Sequence, residues 1–94
     1  MTLIETMKTA REGHCDAQVA YLIAKENLRG AENLALDRRT ESGKLGTNTE
    51  VRRSQIDSDC AAERTTCLDA ELDLVRATSV LNIAVDSISP YAVV

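Results

Sequence analysis

Two interleaved repeats of seven residues constrain the fold of this chain more than any other feature. In the C-terminal half, cysteine, leucine and isoleucine recur at every seventh position from Cys60 to Ile88. A second series, mostly alanine, runs from Ile56 to Ala84 at offsets of three and four residues from the first. Apolar residues with this spacing form one stripe along an α-helix and are typical of a coiled-coil seam. The pattern predicts a long amphipathic helix.

The N-terminal half carries the same pattern. One series comprises Met7, His14, Tyr21, Leu28 and Ala35, and the other comprises Leu3, Ala10, Ala17, Ala24 and Ala31. Because small residues let two helix backbones approach closely, alanine at every seventh position favours two helices packed against each other. A short loop between such helices makes them antiparallel neighbours. The sequence therefore predicts an all-α fold, a long antiparallel helical hairpin with a coiled-coil-like, alanine-rich seam.

Capping residues and helix breakers place the ends of the predicted helices. The segments Thr2-Leu-Ile-Glu5 and Thr47-Asn-Thr-Glu50 both have the form of a capping box. Gly43 lies in a glycine-dense polar stretch and suits the left-handed position after a helix. Pro90 disfavours helical geometry at the residue before it. These signals predict one domain over residues 1–94, with helices at about 3–39 and 49–88, a loop at 40–48 and a tail at 89–94.

Apolar side chains extend beyond the seam. Residues 19–24 are apolar all round the helix, and residues 80–85 are nearly so. A hairpin covers only one stripe of each helix, so the remaining apolar side chains mark an interface. We expect the hairpins to associate into a four-helix or larger helical bundle; the alternative is a kink at Gly30 that folds the chain into a compact three-helix unit. The predicted oligomer interface comprises Val19, Leu22, Ile23, Leu68, Leu72, Val75, Val80 and Ile83.

The cysteines suggest packing rather than metal binding. Cys60 and Cys67 in the stretch DCAAERTTC are two helical turns apart, roughly 10 Å, which is too far for one zinc ion with sulfurs about 2.3 Å away. The same separation rules out a disulfide between them on one helix. Both occupy seam positions that leucine takes later, so we interpret them as small apolar seam residues. No metal or cofactor is expected.

The motifs of common enzyme classes do not occur. One histidine and three scattered thiols lie on long predicted helices, with no glycine-rich elbow, phosphate loop, dinucleotide fingerprint or paired histidine–carboxylate motif. We therefore expect that the protein is not an enzyme. Cysteines without an N-terminal export signal suggest the reducing cytoplasm. The longest apolar run, residues 19–24, is too short to cross a bilayer, so no membrane partner is expected.

Charge is unevenly distributed in this acidic chain, whose formal net charge is −4. Residues 37–53, the predicted hairpin tip, carry five cations against three acids, whereas residues 54–94 carry seven acids and two arginines. Arg38 and Arg39 suit the C-terminal end of a helix, where cations meet the negative end of the dipole. Arg52 and Arg53 follow the next helix start and oppose its dipole. The candidate anion- or partner-binding residues are Arg38, Arg39, Lys44, Arg52 and Arg53.

These observations predict a non-enzymatic protein–protein interaction or regulatory module that acts as a helical homo-oligomer. An adaptor, an inhibitor or an assembly subunit would each fit, with another protein as the partner. The alternative is a binder of a phosphate-bearing ligand, a nucleotide or RNA, through the basic hairpin tip.

Overall fold

A computed structural model of the chain describes residues 2–92, and their side chains up to Ser87. This part of the chain contains three α-helices and no strand: α1 (Leu3–Ser42), α2 (Thr49–Asp59) and α3 (Ala61–Ala92). Because α1 packs against α3, the chain is an all-α helical hairpin, as the repeats predict. None of these three helices combines the length and the apolar character that a membrane span requires.

Contacts divide the chain into two compact units. The first contains the described residues up to Tyr21 and those from Ala70 onward, and the second contains Leu22–Asp69. Each unit includes part of α1 and part of α3, and the second unit also holds α2 and the loop that precedes it. The prediction of a single domain stays a prediction.

Burial follows the two seam series. Every seam position from Met7 to Ala35, and every one from Ile56 to Ala84, is buried or half-buried. Leu3, in the first turn of α1, is the exception at 46% exposed, and the side chain of Ile88 lies outside the described residues. The most buried residues are Ala10, Ala24, Ala35, Cys60 and Ala84. Four of these five are alanines, as expected for a seam built from small side chains. The burial of both series confirms the predicted seam.

The N-terminal end of α1 forms as the capping box predicts. The backbone N–H of Glu5 donates to Thr2 Oγ1 at 3.1 Å, and the N–H of Thr2 donates to Glu5 Oε2 at 3.3 Å. The helix then continues through Gly30 to Ser42. The alternative fold with a break at Gly30 is therefore wrong.

The end of α1 lies three residues beyond its predicted position at residue 39. The hydroxyls of Thr40 and Ser42 donate to helix carbonyls one turn earlier, which keeps these residues in the helix. Gly43 then takes a left-handed φ of 71°. Its N–H donates to Thr40 O at 3.3 Å, while the N–H of Lys44 donates to Arg39 O at 2.9 Å. This pair of bonds is a Schellman motif, so the predicted role of Gly43 is confirmed and the loop shortens to residues 43–48.

The second helix, α2, begins at Thr49, the predicted position, and only its cap differs from the prediction. Asn48, not Thr47, is the N-cap, and its Oδ1 accepts a hydrogen bond from the N–H of Val51 at 2.9 Å. Asparagine caps a helix at least as well as threonine does, so the neighbouring residue takes the position.

The predicted helix over residues 49–88 is divided at Cys60. This residue has φ −109° and ψ 23°, outside helical geometry, and its side chain is only 1% exposed. Backbone hydrogen bonds from Cys60 N to Ile56 O and from Arg64 N to Cys60 O flank the break. The break occurs where Asp59 pairs with Arg39 of α1 while the neighbouring thiol is buried.

The predicted end of this helix at residue 88 is also wrong, because α3 continues to Ala92. Pro90 falls in the last turn, where its missing N–H removes only one hydrogen bond from a helix that is about to end.

Candidate functional site

The loop between α1 and α2 is held by side chains of α2. The N–H of Gly46 donates to Gln55 Oε1 at 2.8 Å, and Gln55 Nε2 donates to Lys44 O at 3.2 Å. Arg52 Nε donates to Gly46 O at 2.6 Å. Arg52, a predicted binding residue, is therefore engaged by the loop backbone.

Arg39 connects the end of α1 with the end of α2. Its Nε and Nη2 donate to Asp59 Oδ2 and Oδ1 at 2.5 and 2.8 Å, and its Nη1 donates to Lys44 O at 3.4 Å. This bidentate geometry is the strong form of an ion pair. Hydrogen bonding to Arg39 lowers the pKa of Asp59, and hydrogen bonding to Asp59 raises the pKa of Arg39. Arg39 thus has a structural partner within the chain.

An open cavity of about 440 Å³ lies between α1, the loop and the start of α3, and we call it the loop cavity. Its charged lining includes Arg38, Lys44 and Glu63, together with the Arg39–Asp59 pair. In the described part of the chain, neither the Arg38 guanidinium nor the Lys44 ammonium has a hydrogen-bond or ion-pair partner. The apolar lining consists of Ala31, Leu34, Ala35 and Cys60.

Arg52 and Arg53 line a second cavity that shares no residue with the loop cavity. This second cavity also contains Arg64, whose Nη1 lies 2.6 Å from Asp57 Oδ1 and 3.9 Å from Glu32 Oε1. The structure therefore brings Arg38, Arg39 and Lys44 together and places the other two predicted cations elsewhere. Binding of an anion or a partner by these five residues stays a prediction.

Sequence reasoning missed Asp59 and Gln55, which hold the hairpin tip together. Asp59 lies 20 residues from its partner Arg39, and neither residue belongs to a seam series or a recognisable motif. Spacing therefore offers no signal for this pair. Glutamine is common on exposed helix faces, so the role of Gln55 has no sequence signature either.

All three cysteines are free thiols: Cys15 is exposed, Cys60 is buried and Cys67 is half-buried. Burial raises the pKa of the Cys60 thiol, and the nearby carboxylates of Glu63, Glu32 and Asp59 raise it further. Since the thiolate is the reactive form, this environment suits packing and not nucleophilic chemistry. No group of three or more histidine, cysteine or acidic residues suited to a metal ion occurs among the described residues.

The predicted oligomer interface consists of exposed side chains in this single chain. All of its members are more than half exposed, from 53% for Leu72 to 66% for Ile83. Val19, Leu72, Val75, Val80 and Ile83 belong to the first unit, and Leu22, Ile23 and Leu68 belong to the second. Sequence reasoning did not include Ile4 and Leu34, which are 79% and 50% exposed. Ile4 directly follows a seam residue and Leu34 directly precedes one, so both positions face outward from the seam. This spacing is the signal that could have identified them.

No family model, no curated protein and no solved structure matches this chain. Its function therefore has to be inferred from its own residues and their geometry.

Proposed function

We propose that the protein is a non-enzymatic interaction module that self-associates through its exposed apolar side chains and binds another protein as a helical homo-oligomer. An adaptor, an inhibitor or an assembly subunit would work in this way. The observation that carries the proposal is that all eight residues of the predicted oligomer interface are exposed. We call these eight residues the apolar surface.

The spacing of Leu72 and Val75 along α3 supports a shared contact. These two residues of the first unit are three positions apart, which places them on one face of the helix. They are 53% and 57% exposed, so the seam does not cover them. Burying large apolar side chains contributes about 1.5–3 kcal/mol each, which favours a partner that covers such a face.

The cysteine environments support the non-enzymatic character of the module and a location in the cytoplasm, which we also propose. The raised pKa of the buried Cys60 thiol disfavours the nucleophilic thiolate. Cys15 is exposed and free, a state that the reducing cytoplasm maintains.

Sedimentation velocity at micromolar concentration tests the proposal. We expect the wild-type protein to sediment as a dimer or larger species, because the apolar surface is covered only on association. The double variant L72E/V75E should sediment as a folded monomer, because two buried carboxylates would oppose the contact.

The matched control is T66E, which adds a carboxylate at an exposed polar position of the same helix that is not three, four or seven residues from Leu72 or Val75. This variant should self-associate like the wild type. A monomeric wild-type protein at these concentrations would refute self-association, and equal assembly of L72E/V75E would show that this face is not the contact.

A further inference from the structure

Arg38 and Lys44 differ from Arg39 and Arg52, two other predicted cations of the hairpin tip. Arg39 is held by Asp59, and Arg52 is held by the carbonyl of Gly46. Arg38 and Lys44 are exposed, line the same loop cavity and have no charged or hydrogen-bonding partner for their cationic groups among the described residues. Two cations next to one cavity repel each other, and an anion between them would relieve this repulsion.

The acidic groups that line the loop cavity do not outnumber its cations. The carboxylate of Asp59 is already engaged with Arg39. Glu63, about one helical turn after Asp59, is the other acidic residue of the lining. Arg38 and Lys44 therefore leave the cavity with an excess of positive charge, which favours an anionic ligand.

The remaining lining is apolar. Leu34 is half exposed, and Ala31, Ala35 and Cys60 line the cavity beside it. A volume of about 440 Å³ lies within the range of 300–1,000 Å³ typical of small-molecule sites. A ligand with an organic body could thus lie against Leu34 while its charged group reaches the two cations.

We propose that the loop cavity binds a small phosphate monoester through Arg38 and Lys44, with the organic part of the ligand against Leu34. A phosphate monoester carries a charge between about −1.5 and −2 at neutral pH, which matches the two unpaired cations, whereas a carboxylate would neutralise only one. The guanidinium of Arg38 can bind two phosphate oxygens at once, and Lys44 supplies a point charge. This site is separate from the apolar surface proposed for self-association, since none of its residues belongs to that surface.

Titration with phenyl phosphate, followed by NMR at pH 7 and low salt, tests this site. We expect saturable shifts of the Lys44 and Gly43 amides and of the Leu34 methyl groups, with tighter binding of phenyl phosphate than of inorganic phosphate. The double variant R38S/K44S should bind at least tenfold more weakly, because two charge-assisted contacts are removed. Its helicity and its sedimentation should not change, since both side chains are exposed and lie outside the seam.

The control variant is R53S, which removes an arginine that is also exposed but lines the second cavity and not the loop cavity. It should bind phenyl phosphate like the wild type. An equal loss of affinity in R53S would overturn the proposed site, as would an absence of saturable shifts. Binding of a glutamate-rich peptide in place of phenyl phosphate would also overturn it, and would point to an acidic protein partner. Each of these outcomes can occur while the protein still self-associates. The experiment therefore distinguishes failure of the proposed phosphate site from failure of the proposed function.

Discussion

Gly46 illustrates how one residue determines the geometry of the loop. A Cβ atom at this position would lie 2.4 Å from Val51 Cγ1 and 3.0 Å from Val51 Cβ, closer than real contacts of this kind. Rotation of the valine side chain can move Cγ1 but not Cβ, which is attached directly to the backbone, so rotation alone does not relieve the overlap. The same glycine donates its N–H to Gln55 and offers its carbonyl to Arg52. The close approach of α2 to the loop therefore requires glycine here.

We predict that G46A lowers the free energy of unfolding by about 1–3 kcal/mol through this overlap. The matched control is G30A, where a new Cβ meets nothing within 4 Å and the residue lies inside a helix. This change should raise stability by about 1 kcal/mol, since alanine favours helix over glycine. Urea unfolding at one fixed protein concentration measures both effects. Equal stability of G46A and the wild type would show that the loop can move away from Val51.

At the scale of the helices, the Arg39–Asp59 ion pair links the C-terminal turns of α1 and α2. The carboxylate oxygens of Asp59 accept two hydrogen bonds from one guanidinium, and Cys60 is buried directly after it. The division between α2 and α3 occurs at this point. We infer that the ion pair and the burial of the thiol together stabilise the break between α2 and α3 relative to one continuous helix.

Acidification should weaken this connection. Because hydrogen bonding to Arg39 lowers the pKa of Asp59 in the folded state, the pair stabilises the fold above the unfolded-state pKa of about 3.9. The stabilisation of the fold by this ion pair decreases as the pH falls through the lowered pKa of Asp59. We predict that D59N is less stable than the wild type at pH 7, and that the difference narrows below about pH 4.

Urea unfolding from pH 7 to pH 2.5 measures this difference. The control is D73N, which removes a carboxylate that lies 3.6 Å from Arg76 at a highly exposed position of α3. Exposed pairs contribute little, so D73N should be less destabilising at pH 7. A difference between D59N and the wild type that does not change with pH would contradict the role given to the ion pair.

At the scale of the whole molecule, the core is thin and the exposed apolar surface is large. Among the described side chains, the buried apolar residues are only Ala10, Ala24, Ala35, Cys60 and Ala84. Small buried side chains remove little apolar area from water, so the seam alone stabilises the fold weakly. Covering the apolar surface on self-association would therefore contribute a substantial share of the stability.

We predict that the melting temperature rises with protein concentration, because association stabilises the folded state by mass action. L72E/V75E should melt at a lower temperature that does not depend on concentration, whereas T66E should behave like the wild type. Circular dichroism melts over a hundredfold range of concentration measure this. A wild-type melting temperature that stays constant over this range would indicate that the hairpin is stable as a monomer.

The sequence by itself determined the features that depend on local spacing. A seven-residue period places the same side of a helix inward wherever the helix continues, so the buried positions from Met7 to Ala35 follow from the pattern alone. The cap at Thr2 and the left-handed turn at Gly43 involve residues at most five apart, and both follow from residue type. The exposure of the apolar surface follows from the same period.

Only the tertiary structure decided the break at Cys60 and the division of the tip cations between two cavities. Both depend on contacts between residues that are distant in the sequence, such as Arg39 with Asp59, or on side chains that bond to loop carbonyls, such as Arg52 with Gly46. The type and spacing of arginines do not indicate which of them the fold will use for its own contacts. Arg38 and Lys44 could be chosen as candidate binding residues only because folding gave partners to Arg39 and Arg52 and placed Arg53 at a different cavity.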